Sequence, residues 1–358
     1  DELEAQLAVI WEDLLQVRPI GVTDDFFDLG GHSLLAVRLA ARIEQKWGRS
    51  LALSDLLVGS TIEELASRLR EPVKSRTVSS LIPLGASGAG QPLFLVHPIG
   101  GGVLCYNALA RCLDGARAVL GLQAAGLDGE VEPEADLVHM ASRYVDAVLA
   151  EHPEGPYLLG GWSMGGVVAL EMAMQLSAAG RDVPLVFLID CSAPVPRHTP
   201  HAIDDRESLV AFVADLSRTA GRPTWTSPEH FRNLDPESIR DGSLDQSRLG
   251  REIAGEIGSE RFRRLHDVYR ANRLALDGYQ PRTYSGRIIL IRAESSRSDF
   301  EGDPTRGWDD LAVGGITTYH VSGDHYTILQ QPAVERLAEI LAGEIEGLKS
   351  PTGKIHPQ

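Results

Sequence analysis

Tyr157-Leu158-Leu159-Gly160-Gly161-Trp162-Ser163-Met164-Gly165-Gly166 is the stretch on which the reading of most of this chain turns. A short apolar run ends in glycines, a serine follows, and an Ala-rich helical segment begins near Gly166. At a strand-to-helix turn, Gly161-x-Ser163-x-Gly165 holds the serine in a strained backbone where flanking side chains would clash. The serine then stands at a helix N-terminus, and the backbone N–H of Met164 can stabilise an oxyanion. Gly-x-Ser-x-Gly is a weak pattern alone, since glycine is common in turns. In this context it makes Ser163 a candidate nucleophile.

The same alternation recurs on both sides. Leu93–Val96, Leu185–Ile189 and Ile288–Ile291 are apolar runs that suit buried parallel strands, and the helical segments between them suit crossovers. Residues from about 198 to 270 break the pattern. They are helical in character (Leu209, Val210, Phe212, Val213, Leu216) with polar, Pro-containing stretches, and are expected to form an insertion over the sheet, a candidate lid. No internal repeat is visible.

A serine needs a base, and the base needs an acid. Of 11 histidines, His325 in Ser322-Gly323-Asp324-His325-Tyr326 is the well-placed late one, in a loop after the strand-like Thr317–Val321. His97 precedes Gly100-Gly101-Gly102 and reads as a structural residue positioning that loop. A second oxyanion N–H would come from the same loop, Ile99–Gly102. Two acids compete. Asp190 follows the longer apolar run and has the shorter reach, while Glu294 is followed by Ser-Ser-Arg-Ser, a solvated loop. Both stand at carboxyl ends of strands, where an open α/β sheet binds ligands. Asp190 is the favoured candidate.

Residues 1–71 have a different character. Leu3, Leu7, Ile10, Trp11, Leu14 and Leu15 form one helical stripe, and Leu35, Leu39, Ile43 and Trp47 another. Thr61-Ile62-Glu63-Glu64 opens a third helix with a capping box. Helix stripes without strand signals imply a compact all-α bundle. It carries 13 Asp and Glu against 7 Lys and Arg, a net of −6. Ser33 in Asp28-Leu-Gly-Gly-His-Ser33-Leu34 stands at the start of its second helix and reads as an attachment point for a cofactor arm. Residues 72–91 are rich in Pro, Gly and Ser and read as a flexible linker, spanning at most roughly 65 Å.

With 358 residues and 43% hydrophobic content the chain can bury two cores. A net charge of −16 argues against nucleic acid and anionic membrane surfaces as partners. No run approaches the 18 or so apolar residues of a membrane helix. The start, Asp1-Glu2-Leu3-Glu4, has no signal-peptide character, and the chain reads as an excerpt of a longer polypeptide. Cys105, Cys112 and Cys191 have no metal-ligand spacing, and no metal site is expected. Their odd number suits a reducing compartment, so a cytoplasmic location is expected.

Two resemblances gather these residues together. Residues 92–345 resemble the thioesterase domains that end nonribosomal peptide synthetases, through His97-Pro98-x-Gly100-Gly101, Gly161-Trp162-Ser163-Met164-Gly165-Gly166 and Gly323-Asp324-His325. That likeness implies an α/β hydrolase with a helical lid insertion, and an acid after the strand that follows the nucleophile helix, which falls on Asp190. Residues 1–71 resemble peptidyl carrier domains, through Asp24-Asp25-Phe26-Phe27-Asp28-Leu29-Gly30-Gly31-His32-Ser33-Leu34. There the serine carries 4′-phosphopantetheine in a phosphodiester. The implied layout is a carrier at 1–71, a linker at 72–91, a thioesterase at 92–349 and a tail at 350–358. The implied activity is release of a peptidyl thioester, by hydrolysis or macrocyclisation, in nonribosomal synthesis of an antibiotic or siderophore. Upstream synthetase modules and a phosphopantetheinyl transferase are the implied partners. An editing thioesterase and a non-catalytic docking scaffold are the rival readings.

Overall fold

A computed structural model describes residues 1–49, 51–71, 79–85, 88, 90–129, 131–195, 205–219, 255–296 and 302–348. Four helices come first: α1 (Glu2–Leu15), α2 (Ser33–Trp47), the short α3 (Asp55–Val58) and α4 (Ile62–Arg70). The Asp1 side chain accepts from the Leu3 and Glu4 N–H groups and so caps α1, while Thr61 and Glu64 form the expected capping box on α4. Both arrangements supply partners to N–H groups that a helix start leaves without one. The stripes meet in one apolar cluster that includes Leu7, Trp11, Phe26, Leu39, Ile43 and Leu65. Trp11 and Phe26 pack edge to face within it, 5.0 Å between centroids.

A seven-stranded sheet follows, in the order β1 (Leu81–Pro83), β3 (Arg117–Leu122), β2 (Gly90–Val96), β4 (Leu158–Trp162), β5 (Leu185–Ile189), β6 (Ile288–Ala293) and β7 (Ile316–Val321). Among the described strands only β1 runs antiparallel, paired with β3. β1 lies inside the stretch expected to be linker, and Leu81 is buried against the sheet's core, so residues 81–83 are part of the sheet. Residues 72–78 of that linker, and the tail at 350–358, lie outside the described residues.

Alternation along the strands divides the core in two. Phe94, Val96, Leu159, Val186, Leu188 and Leu290 face α6 (Leu137–Glu151) and α7 (Met164–Ala178). Leu93, Leu95, Leu158, Phe187, Ile189 and Ile291 face α5 (Asn107–Cys112) and the last helix. α7 is buried on nearly every side because it lies between the sheet and α6, which explains why its sequence is apolar all round. Between β5 and β6 the chain leaves the sheet and forms α8 (Asp205–Thr219) and α9 (Ser259–Gly278), then returns through β6 and β7 to α10 (Ala333–Gly347). The rest of the expected insertion, residues 198–204 and 220–254, lies outside the described residues. Among those described, no helix is long and apolar enough to cross a membrane.

The helical unit is seated on the sheet unit. Leu34 and Val37 of α2 pack against Leu209, Phe212 and Val213 of α8 and against Phe262 and Tyr269 of α9. Charged pairs rim this contact: Arg261 with Glu44 at 3.0 Å, Arg38 with Glu256 at 3.6 Å, and Arg111 with Asp25 and Asp28.

Candidate active site

Ser163 lies between the carboxyl end of the central strand β4 and the first residue of α7, in the context its flanking glycines imply. Its φ of 57° and ψ of −128° are unusual for a side-chain-bearing residue and cost about 1–3 kcal/mol. The neighbours explain why the turn tolerates little else. A Cβ on Gly161 would stand 2.2 Å from the Gly165 carbonyl carbon, and one on Gly165 would stand 2.2 Å from the Val96 carbonyl oxygen. The backbone is pinned as well: Ser163 N–H donates to Ile189 O at 3.0 Å, and Trp162 N–H donates to the buried Tyr106 hydroxyl at 2.8 Å. Tyr106 in turn donates to Val96 O at 2.5 Å, tying the ends of β2 and β4 together.

Asp190 and His325 are brought together by the loops after β5 and β7. Asp190 Oδ2 lies 2.7 Å from His325 Nδ1 and accepts a second bond from Ser296 Oγ at 2.7 Å. Oδ1 accepts from Ala293 N–H at 2.8 Å and pairs with Arg306 Nη1 at 2.9 Å. Burial alone would raise the Asp190 carboxyl, but the bonds from His325, Ser296 and Ala293 outweigh it and hold the group below the usual carboxylate range. An ionised carboxylate can only accept, so Nδ1 carries the proton and Nε2 is left as the basic nitrogen. Trp162 stacks on the ring at 4.9 Å between centroids.

Glu294, the competing acid, is exposed, and its backbone N–H continues the sheet to Val321 O. Its loop still matters, because Ala293 and Ser296 on either side of it both hold Asp190. His97 is fully buried and stands behind the glycine loop. Its Nδ1 bonds Pro98 O at 2.8 Å and its Nε2 bonds the Tyr144 hydroxyl at 2.7 Å. Burial lowers its pKa to about 4. Ile99 O accepts from Asn272 Nδ2 at 2.8 Å, so α9 fixes the loop proposed to face the oxyanion. Met164 N–H is the first of α7, one of the donors a helix leaves free at its start.

One cleft, open to solvent, joins the named residues: Ser33, Ile99, Ser163 and His325 all line it. Ser163 and His325 share its wall without a hydrogen bond between them, a looseness common before substrate aligns reacting groups. Leu34, Val37, Leu104, Phe212 and Leu216 make the remainder largely apolar. The helical unit therefore supplies part of the wall. Sequence reading missed Tyr106, Ser296 and Arg306. Only Ser296 carried a signal, in the Ser-rich loop after β6, and that loop pointed toward solvent rather than toward Asp190.

Comparison with known proteins agrees with this geometry. Residues 5–69 match the phosphopantetheine attachment site, so 4′-phosphopantetheine is a covalent cofactor of this chain. A dimodular nonribosomal peptide synthase from Bacillus subtilis (strain 168) is 30% identical over 355 residues, 96% of this chain but 14% of that protein. The chain thus spans about one seventh of that relative's length. Among solved structures, a holo four-domain nonribosomal peptide synthetase bound to AMP and glycine is 32% identical at a TM-score of 0.68, covering 96% of this chain and 26% of that one. The NocB thioesterase domain, in covalent complex with a fluorophosphonate nocardicin G analogue, is 28% identical at a TM-score of 0.52, over 72% of this chain and 96% of that one. An α/β sheet with a serine in the turn after its central strand and an Asp190–His325 pair on the neighbouring loops is an arrangement a serine acyl hydrolase can use. Residues 91–345 match the thioesterase domain model, and the chain belongs to that family.

Proposed function

We propose that this chain is the terminal piece of a nonribosomal peptide synthetase, in which a carrier at 1–71 hands its peptidyl thioester to the thioesterase at 92–349 for release. The observation that carries this reading is the single cleft shared by Ser33 and Ser163, with the Asp190–His325 hydrogen bond beside it. Residues 1–71 are taken as the carrier's helical bundle, and α8 and α9 as the described part of a lid.

The residues around Ser33 fit a phosphodiester-linked arm. Ser33 is the first residue of a 15-residue helix whose cap, His32, places no side-chain bond on it, and free N–H groups at such a terminus favour a phosphate. The apolar wall from Ser33 to Ser163 suits a slender chain. When bound, 4′-phosphopantetheine supplies a thiol whose thioester presents an activated acyl carbonyl. His325 Nε2 takes the Ser163 proton while Ser163 Oγ attacks that carbonyl. The Met164 N–H and an N–H of the Ile99 loop hold the oxyanion. Asp190 keeps His325 in the correct tautomer and stabilises its cation. With the arm in place, Ser163 would receive the acyl group and His325 would hold the proton that the departing thiol needs. Water, or an amine or hydroxyl of the peptide, then attacks the Ser163 ester with His325 again as base, giving an acid or a ring.

A docking scaffold would have no use for a strained Ser163 or a fourfold-bonded Asp190. The test loads Ser33 through a transferase and an acyl-coenzyme A, then follows the chain by intact mass. Wild type should clear the acyl group, while Ser163→Ala should fold and retain it. Turnover of Ser163→Ala within tenfold of wild type would refute the assignment.

A further inference from the structure

The cleft that joins Ser33 to Ser163 is apolar apart from a few side chains, and Asp215 of α8 is the one carboxylate among the described residues that line it. Asp215 Oδ1 accepts a hydrogen bond from the Tyr326 hydroxyl at 3.1 Å. Its Oδ2 lies beside the glycine loop, 3.9 Å from where a Cβ on Gly100 would stand. Tyr326 follows His325 directly in sequence, and its ring packs against the His325 ring at 5.2 Å, so Asp215 borders the reacting centre. The nearby cation is exposed: Arg218 stands over the Tyr326 ring, 5.8 Å from its centroid, and attracts Asp215 from the solvent side.

A carboxylate in such a wall has only two comfortable states. It can take a proton, or it can meet a cation. Burial pushes the Asp215 carboxyl up, while the Tyr326 bond and the charges of His325 and Arg218 pull it back. A ligand that brings its own positive charge ends that contest, and a few placed polar groups on a largely apolar cleft are how binding sites fix a substrate's orientation.

Resting on the thioesterase reading above, we infer that Asp215 is a specificity-determining residue that binds an ammonium group on the acyl chain being released. The substrate class is then an acyl thioester bearing a free amine, either the α-amine of the chain's first residue or a side-chain amine. The amine enters along α8 while the thioester carbonyl reaches Ser163, so Asp215 sets which carbonyl is presented. The charge pair forms out of bulk water and discriminates strongly against the same chain without its charge.

The test uses the full chain and soluble pantetheine thioesters of matched length. One carries an α-amine, one a side-chain amine, one that side-chain amine acetylated, and one a carboxylate in its place. For wild type, kcat/KM on one of the amine chains should exceed that on the acetylated chain by tenfold or more, and which amine wins identifies the source. Asp215→Asn should bring the ratio to within about twofold of one, and Asp215→Lys should shift preference toward the carboxylate chain. Equal wild-type rates on amine and acetylated chains would overturn the inference. So would an unchanged ratio in Asp215→Asn, since Asn mimics a neutral carboxyl, or an equal fall on all chains, since that marks support of the His325 cation instead. Loss of all hydrolysis in Ser163→Ala tests the thioesterase reading separately, so the two can fail independently.

Discussion

Asp190 and His325, 135 residues apart in the chain, meet across a 2.7 Å hydrogen bond that neither loop could form alone. β5 and β7 flank β6, and β6 delivers the Ala293 N–H and, two residues past its loop's start, the Ser296 hydroxyl to the same carboxylate. Three neighbouring strands thus converge on one side chain.

Asp190→Asn should therefore lower kcat on the order of 10⁴-fold, because an amide can leave His325 in the wrong tautomer. Glu294→Gln should stay within about threefold of wild type. Steady-state release of a soluble acyl thioester measures both, and the reverse ranking would move the acid to Glu294.

Ser33→Ala should abolish modification by a phosphopantetheinyl transferase supplied with coenzyme A. Intact mass should show one adduct on wild type and none on the variant. An adduct persisting on Ser33→Ala would place the arm elsewhere.

His97 makes a pH prediction. Its pKa is about 4 when folded against 6.5 ordinarily, so the unfolded chain binds more protons between these values. Its contribution to stability is full above about pH 6.5 and is lost as pH falls toward 4, by on the order of 3 kcal/mol. Thermal unfolding between pH 7.5 and pH 5 should show about 2 kcal/mol of that loss in wild type and a shallower one in His97→Gln. Parallel slopes in the two proteins would remove His97 as the cause.

Arg111 tests the seam between the two units. Its pairs with Asp25 and Asp28 are largely exposed, each contributing under about 1 kcal/mol, and they should act mainly on encounter. Arg111→Glu should slow release from the chain's own carrier severalfold at low salt, and the defect should shrink as salt rises. Hydrolysis of soluble thioesters should stay within twofold. A defect of equal size on both substrates would mean that Arg111 supports folding rather than delivery.

Much of this was legible in the residue order, and the boundary has a physical basis. Strands β4, β5 and β6 are buried on both faces, so they read as unbroken apolar runs, and the turn chemistry of Gly161 and Gly165 is local. Ser33, Ser163, Asp190 and His325 sit at element ends, where sequence marks a change of period. β1 escaped because three residues, one of them Pro83, sit in a Pro- and Gly-rich stretch and pair only through β3. Arg306 and Tyr106 escaped for another reason. Each is buried far in sequence from what it serves, and nothing in a local pattern says which buried arginine meets Asp190 or which buried tyrosine holds Trp162.

Leu34 and Val37 belong to the N-terminal helical unit yet form part of the cleft. The chamber is therefore complete only while the helical unit is seated, as a mould is closed by its second half. An inhibitor selected against residues 91–345 alone would meet a wider, wetter cavity than any natural acyl chain encounters. One selected against the assembled pair would meet a cleft whose wall Leu34 and Val37 complete.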